Sequence, residues 1–205
     1  MRLFLQQINF DCMNDKILPS LEELQSWVFE TSLQKSTNKL SVTSEIMRMV
    51  KIDANVYNDK LANNSAIRKY MYRVKSEDSI ELKTNRHPDL RFQSVFNDIL
   101  GIRIQSEYYP VNIPEYYRIV DLRNGKAIDD GYRAMHLYYK MDNFHYIIEV
   151  QVWAGKDNLF NTWTHSNTYK YVDPAITCKM RKLYDSGMIQ TYADFRKELQ
   201  KYELR

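Results

Sequence analysis

The sequence predicts an α+β fold in which a mixed β-sheet of about five strands is flanked by helices. Helical periodicity fills the first 71 residues, and short alternating strand patterns separated by helix patterns follow. The chain has 205 residues, of which 44% are hydrophobic and 27% charged, so it can bury a substantial core. We expect one domain, 1–205, with a helical part (1–71), a mixed core (72–172) and a helical tail (173–205).

The helical part contains three amphipathic patterns. In PSLEELQSWVFETSL (19–33), Ser20 and Glu23 have the spacing of a capping box. Leu21, Leu24 and Val28 recur at helical spacing, so they are expected to share one face. The other two patterns are SEIMRMVKI (44–52) and NDKLANNSAIRKYM (58–71).

The strands follow in the mixed core. Four segments have strand patterns: MYRVKS (71–76), DILGIRIQ (98–105), YRAMHLYYKM (132–141) and FHYIIEVQVWA (144–154). Gly101 marks a predicted point of close approach. Asp142 and Asn143 resemble a hairpin turn between the last two strands.

Helix patterns alternate with these strands. We predict helices at SIELKTNR (79–86, opening at Ser79), IPEYYRIV (113–120, Pro114 in its first turn), NLFNTWTHSNTYKYV (158–172) and YADFRKELQKYE (192–203).

Composition limits the function classes. The net charge of +3 does not by itself indicate nucleic acid binding. No segment approaches the roughly 20 apolar residues of a membrane span, and no signal peptide is visible. Cys12 and Cys178 form neither a disulfide framework nor a metal-ligand pair. We therefore expect a cytoplasmic protein without a membrane segment.

Charged residues lie in segments that should be core. Asp98 precedes one apolar strand, and Glu149 lies in another, on the face opposite Ile148 and Val150. Two such carboxylates suit Mg²⁺, which takes one or two carboxylates plus substrate phosphates. Five cations that suit a polyphosphate lie nearby in the sequence: Arg73, Lys75, Lys83, Arg86 and Arg103. A solvent-facing sheet side with surface ion pairs is the alternative interpretation.

The order of four motifs resembles the synthetase domain of RelA/SpoT proteins, especially the single-domain small alarmone synthetases. The chain reads RVKSEDSIELKTNR, NDILGIRI, DDGYRAMHLYY and EVQVWAGKDNLFNTWTHSNTYKY. The family reads R-x-K…S-I…K-x-x-R, D-I-x-G-x-R, G-Y-R-S-x-H and E-I-Q-I-R-T…N…E-H-S…Y-K-Y. The match spans about half of the chain, residues 73–171.

The resemblance implies an enzyme that transfers pyrophosphate from ATP to a ribose 3′-hydroxyl. Arg73 and Arg103 would stack on the two faces of the adenine. Lys75, Lys83 and Arg86 would neutralise the triphosphate. Ser79 would either contact a phosphate through the helix N-terminus or only cap the helix.

The resemblance also implies a metal site and an acceptor site. Asp98 would be the main Mg²⁺ ligand, and Glu149 a second ligand or the base that prepares the acceptor hydroxyl. Tyr132 would stack on the acceptor base or else be a core tyrosine. The other acceptor-side residues would be Arg133, His136, Gln151 and Asn158. His165 is expected to be a packed or hydrogen-bonded helix residue and not a catalyst.

The departures from the family pattern lie on the acceptor side. Trp153 and Ala154 replace the family's Arg-Thr, Thr164 replaces an acid, and GYRA replaces GYRS. The loop before Gly131 lacks the usual Y-I-x-x-P-K, and Arg123 and Lys126 are the candidates to replace its cation.

An altered acceptor side resembles the toxic branch of small alarmone synthetases. Members of that branch pyrophosphorylate the 3′ CCA end of tRNA, stop translation and pair with a neutralising antitoxin. Candidate tRNA-contacting cations are Lys35, Lys39, Lys51, Lys179, Arg181 and Lys182. The alternatives are a (p)ppGpp synthetase that uses GDP or GTP, a (p)ppApp synthetase, and a degenerate synthetase that only binds nucleotide or RNA.

Overall fold

The computed structural model describes residues 71–88, 92–168 and 172–203, together with ten isolated positions between 21 and 63. The capping box, most of the three N-terminal helix predictions, Lys35, Lys39, Lys51, Tyr169 and Tyr171 lie outside the described residues. Leu21 and Leu24 are helical and buried, as predicted, but Val28 is 64% exposed. The prediction that Val28 shares their face is wrong, because the chain is no longer helical at that residue.

The sheet has five strands in the order β1-β2-β5-β4-β3. Their bounds are Met71–Val74 (β1), Leu100–Ser106 (β2), Arg118–Asp121 (β3), Met135–Tyr139 (β4) and Ile148–Ala154 (β5). β1 and β2 are antiparallel, with Arg73 opposite Gly101 and Met71 opposite Arg103. The predicted α+β class with a mixed five-stranded sheet is confirmed.

Between residues 71 and 203, the described part of the chain contains five helices. They are Glu77–Arg86 (α1), Phe92–Val95 (α2), Gly155–Asn167 (α3), Pro174–Asp185 (α4) and Tyr192–Glu203 (α5). None of the described helices is long and apolar enough to cross a membrane.

The predicted helix at 113–120 is wrong. The segment forms one turn, in which Tyr117 N–H donates to the Pro114 carbonyl at 3.1 Å, and then enters β3. The β-branched residues Ile119 and Val120 suit an extended backbone, and the sheet edge offers hydrogen-bond partners that a short isolated helix lacks. This segment supplies the fifth strand.

Three further boundaries differ from the predictions. The N-cap of α1 is Ser76, whose side chain accepts from Ser79 N–H, so Ser79 lies inside the helix. A loop longer than the two-residue turn at Asp142 and Asn143 joins β4 to β5. The sequence analysis missed α4, although Asp173 caps its N-terminus and Pro174 occupies its first turn.

The chain divides into two compact units. Unit 1 comprises Met1–Ile104, Pro110–Ile119 and His136–Gln151, and unit 2 comprises Gln105–Tyr109, Val120–Met135 and Val152–Arg205. The hydrophobic core of unit 2 is formed by α3, α4, α5 and the segment before α5, with fully or nearly fully buried Phe160, Met180, Ile189, Phe195 and Leu199. The boundaries predicted at residues 72 and 172 remain predictions.

Candidate active site

Three cations surround Asp98 in unit 1. Lys75 Nζ donates to Asp98 Oδ2 at 2.6 Å, and Lys83 Nζ donates to Oδ1 at 2.9 Å. Arg73 Nη2 lies 3.7 Å from Oδ2. Lys75 directly follows β1 and Lys83 lies on α1, so two elements distant from Asp98 in sequence converge on one carboxylate.

This cluster is electrostatically coupled. Burial raises the pKa of Asp98, but hydrogen bonds from Lys75 and Lys83 outweigh it and hold the pKa below its usual range. Burial lowers the pKa of Lys75, and the hydrogen bond to Asp98 only partly offsets this effect. A partly desolvated group of cations around a single carboxylate carries excess positive charge, which suits an anionic ligand.

The two arginines of the predicted adenine site share one face of the β1–β2 pair. Arg73 lies opposite Gly101 and Met71 opposite Arg103, so Arg73 and Arg103 are diagonal neighbours. Diagonal positions are roughly 7–8 Å apart. That spacing accommodates one planar ring with a contact of about 3.5 Å on each side.

The remaining predicted donor-side residues have different settings. Packing does not require glycine at position 101, because an added Cβ would lie 3.5 Å from Arg73 Cγ, an ordinary van der Waals distance. Ser79 Oγ accepts a hydrogen bond from Ser76 Oγ at 2.9 Å. Arg86 ends α1 and is exposed, and among the described residues it makes no contact with the Asp98 cluster.

Glu149 lies at the centre of a second polar cluster in unit 1. Its side chain accepts from Gln151 Nε2 at 2.8 Å and from the Tyr138 hydroxyl at 3.1 Å. His136 Nδ1 lies 2.9 Å from Oε1, which fits a third hydrogen bond. β4 presents His136 and Tyr138 on the same face because they are two residues apart on a strand.

Burial decides between the two interpretations of the charged strand. Glu149 is only 4% exposed, so this part of the sheet is not a solvent-facing side with surface ion pairs. Burial raises the pKa of Glu149, but hydrogen bonds from His136 and Gln151 hold it below its usual value, whereas the charge of Asp98 acts to raise it. The two carboxylates are therefore close enough to repel each other.

Two residues of unit 2, Trp153 and Lys126, lie against Tyr132. Trp153 Nε1–H donates to the Tyr132 hydroxyl at 2.9 Å, and the two rings meet edge to face at 6.0 Å. Lys126 Nζ lies 4.7 Å from the centre of the Tyr132 ring. The residue that departs from the family pattern at position 153 thus directly holds the predicted stacking tyrosine.

The other cations of unit 2 have carboxylate partners. Arg133 forms a bidentate pair with Asp129 at 2.7 and 2.8 Å, and Arg123 forms one with Asp121. Lys126 pairs with Asp130 at 2.6 Å. The Arg133 pair holds the pKa of Asp129 well below its usual range. These pairs fix the loop that carries Tyr132, and the predicted acceptor contacts of these residues remain predictions.

Two candidates on α3 differ in burial. Asn158 Oδ1 is buried without a hydrogen-bond partner among the described residues. His165 is exposed, and its ring lies 6.3 Å from that of Trp153.

One of the C-terminal cations predicted to contact tRNA is buried. Arg181 is only 4% exposed and is bonded to Asp157 and Asp185, so the prediction that it contacts tRNA is wrong. Lys179 and Lys182 are exposed, as a contact with nucleic acid requires.

Sequence analysis missed Tyr138 as a member of the Glu149 cluster. The period-2 alternation of β4 was the available signal, since it places Tyr138 beside His136. Burial and the charge of Glu149 raise the pKa of the Tyr138 hydroxyl, so it stays protonated and donates.

Comparison with known proteins finds distant structural likenesses. No protein-family model and no curated protein matches the chain. Small alarmone synthetase 1 from Bacillus subtilis is 22% identical over 82% of this chain and 92% of that chain, with a TM-score of 0.41. Small alarmone synthetase 2 from the same organism is 21% identical over 81% and 97%, with a TM-score of 0.39. A GTP pyrophosphokinase family protein from Streptococcus pneumoniae is 22% identical over 81% and 94%, with a TM-score of 0.37. These likenesses are too distant to assign a function, so the proposal below rests on the residues of this chain.

Proposed function

We propose that the chain is an ATP-dependent pyrophosphokinase that transfers pyrophosphate to a ribose 3′-hydroxyl. The observation that carries the proposal is the pair of coupled carboxylates in unit 1, Asp98 within a cation cluster and buried Glu149 within a hydrogen-bonded cluster. In this reaction the 3′-oxygen attacks the β-phosphorus of ATP, the bond between that phosphorus and the α,β-bridging oxygen breaks, and AMP leaves. Catalysis then rests on positioning and charge stabilisation.

The β1–β2 register supports the proposed ATP-binding position. Arg73 and Arg103 hold the adenine between their guanidinium planes. Lys75 and Lys83 bind the triphosphate. When Arg73 is replaced by alanine, we expect ATP binding to weaken more than acceptor binding. Equal weakening of ATP binding and acceptor binding would contradict the assignment of Arg73 to the ATP site.

Asp98 and Glu149 fit a magnesium site completed by nucleotide phosphates. Among the described residues no group of three or more His, Cys, Asp or Glu side chains is placed to hold a metal ion, and two carboxylates with phosphate oxygens are what Mg²⁺ takes at such sites. Asp98 and Glu149 would hold the ion, which would supply positive charge to stabilise the charge that develops on the phosphate oxygens. Glu149, whose depressed pKa keeps it ionised, accepts the proton of the acceptor hydroxyl.

We assign the acceptor as the 3′ CCA end of tRNA, which makes the protein the toxin of a toxin–antitoxin pair that inhibits translation. Support comes from the sequence departures on the acceptor side, of which Trp153 bonds directly to Tyr132. Tyr132 stacks on the acceptor base, and Asn158 of the same unit remains a predicted acceptor contact. The acceptor contacts of Gln151 and His136, which lie in unit 1, also remain predictions. A neutralising antitoxin is the expected partner.

The decisive experiment incubates the purified protein with ATP labelled at the γ-phosphate and, separately, with tRNA, with GDP or GTP, or with adenosine nucleotides. We expect label in tRNA and none in tRNA whose 3′-terminal diol has been oxidised. Label confined to guanosine nucleotides would replace the tRNA assignment with (p)ppGpp synthesis, and label confined to adenosine nucleotides with (p)ppApp synthesis. Transfer to none of them would refute the enzyme proposal and favour a binding protein.

Matched variants test the carboxylates. Glu149→Gln and Asp98→Asn should each lower the transfer rate at least about a hundredfold, because charge is lost while shape is kept. Glu81→Gln makes the same chemical change at an exposed position of α1 and should leave the rate unchanged. If Glu149→Gln lost cooperative thermal unfolding, the residue would be structural instead.

A further inference from the structure

A cavity of about 210 Å³ lies in unit 1 beside the Glu149 cluster. The polar and aromatic side chains that line it are Gln93, Ser94, Tyr116, Arg118, Tyr138 and Lys140. Tyr138 belongs to both places, because its ring lines the cavity while its hydroxyl donates to Glu149. Tyr138 therefore links the cavity to Glu149, the proposed catalytic carboxylate.

The charge of the cavity is positive. Arg118 and Lys140 line it, none of its described lining side chains is acidic, and neither cation forms an ion pair in the described part of the chain. Lys140 Nζ instead donates to the neutral Asn143 Oδ1 at 2.9 Å. Two cations without a carboxylate counterion at one concave site favour an anion.

The cavity also offers aromatic surface. The Arg118 guanidinium carbon lies 4.5 Å from the centre of the Tyr138 ring, which orients the planar cation beside the cavity. The Tyr116 ring is 47% exposed, which leaves aromatic surface on which a base can stack.

The size limits the ligand. A volume of about 210 Å³ equals roughly seven water molecules at about 30 Å³ each, and it is smaller than the ~300–1,000 Å³ of drug-sized sites. It accepts a phosphate with its sugar, and the base then lies at the open side.

We propose that this cavity is a second nucleotide subsite, in which Arg118 and Lys140 bind a phosphate and the Tyr116 ring supports the base. The proposal rests on the proposed function for the source of the nucleotide. That source is either the nucleotide preceding the acceptor in an RNA chain or a free nucleotide, and both present the same ribose phosphate.

The test measures binding, without ATP or magnesium, of two probes: the RNA trinucleotide CCA and GDP. In the double variant Arg118→Gln/Lys140→Gln, we expect the Kd of the recognised probe to rise on the order of tenfold, because glutamine keeps a neutral donor at each position and the two positive charges are lost. For the trinucleotide, the slope of log K against log salt should fall by about 0.7, because one phosphate loses its cations. Ser94 is exposed, and Ser94→Glu places an anion in the same cavity, so this variant should also bind the recognised probe more weakly.

Lys197→Gln is the control, because Lys197 is an exposed lysine of α5 outside the cavity. If the cavity variants bind only the trinucleotide more weakly, the source is RNA. If they bind only GDP more weakly, the source is a free nucleotide. Weaker binding of both probes supports the chemistry that the two share. Unchanged binding of both probes in the cavity variants, or equal weakening by Lys197→Gln, would overturn the subsite. These measurements need no turnover, so failure of pyrophosphate transfer refutes the proposed function separately.

Discussion

Replacing Trp153 with phenylalanine should separate the hydrogen bond to Tyr132 from the packing of the ring. Trp153 is 2% exposed, and its Nε1–H donates to the Tyr132 hydroxyl at 2.9 Å. The phenyl ring keeps aromatic contact but has no donor. The lost hydrogen bond contributes about 1 kcal/mol and the lost apolar contact roughly a further 1 kcal/mol. The free energy of unfolding should therefore fall by about 2 kcal/mol, or roughly 4–8 °C in Tm for a chain of this length.

A double-mutant cycle isolates the hydrogen bond. Tyr132→Phe removes the acceptor and leaves the buried indole N–H without its partner, so it should also be destabilising. The double variant Trp153→Phe/Tyr132→Phe should then be more stable than the sum of the single effects by about 1 kcal/mol, measured by urea denaturation. Additivity to within about 0.3 kcal/mol would refute the coupling.

The same variant tests the role of Trp153 in acceptor choice. If Trp153 orients Tyr132, Trp153→Phe should raise the KM for the acceptor and leave the KM for ATP unchanged. A parallel rise of both constants would mean that the substitution acts through general loss of stability.

Further expectations concern stability. The pKa of Asp98 is depressed in the folded state, so its contribution to stability is present above its ordinary value of 3.8 and is lost as the pH falls through the lower folded-state value. The difference in urea midpoint between the wild type and Asp98→Asn should therefore narrow from pH 7 to pH 3, and a constant difference would contradict this coupling. Ser76→Ala should lower the free energy of unfolding by about 1 kcal/mol, because α1 loses its N-cap. Ser79→Ala should change it by no more than about 0.5 kcal/mol. Equal losses in the two variants would argue against Ser76 as the cap. Gly131→Ala should destabilise more than Gly187→Ala, because both have φ near +80° but only the new Cβ at Gly131 would lie 2.8 Å from a carbonyl oxygen. Thermal unfolding of the two glycine variants measures that difference, and equal losses would show that only the backbone conformation matters.

The strand patterns predicted the sheet well because their signal is local. Alternation in β5 placed Glu149 and Gln151 on one face, and the structure has them hydrogen-bonded to each other. The partners of Asp98 could not be predicted in this way. Lys75 is 23 residues away from Asp98, and only the antiparallel pairing of β1 with β2 brings the two residues together.

Two errors in predicting secondary structure occurred at prolines. Residues 113–120 have a plausible helix start at Pro114, but pairing at the sheet edge outweighs that local preference. The predicted helix at 158–172 stops just before Pro174, but proline also suits the first turn of a helix, and α4 begins at this residue. In both cases a proline marks a boundary without indicating which element follows.

The core of unit 2 determines how far the chain can be shortened. Phe160 of α3 packs with Met180 of α4 and Phe195 of α5, and Asp157 of α3 pairs with buried Arg181. The residues after 172, which look like an appendage in the sequence, therefore complete the packing of α3. Ending the chain at residue 172 would expose the apolar side of Phe160 and leave the carboxylate of Asp157 without its cation. Truncation, tagging or fusion is consequently better tolerated after α5 than at the predicted boundary at residue 172.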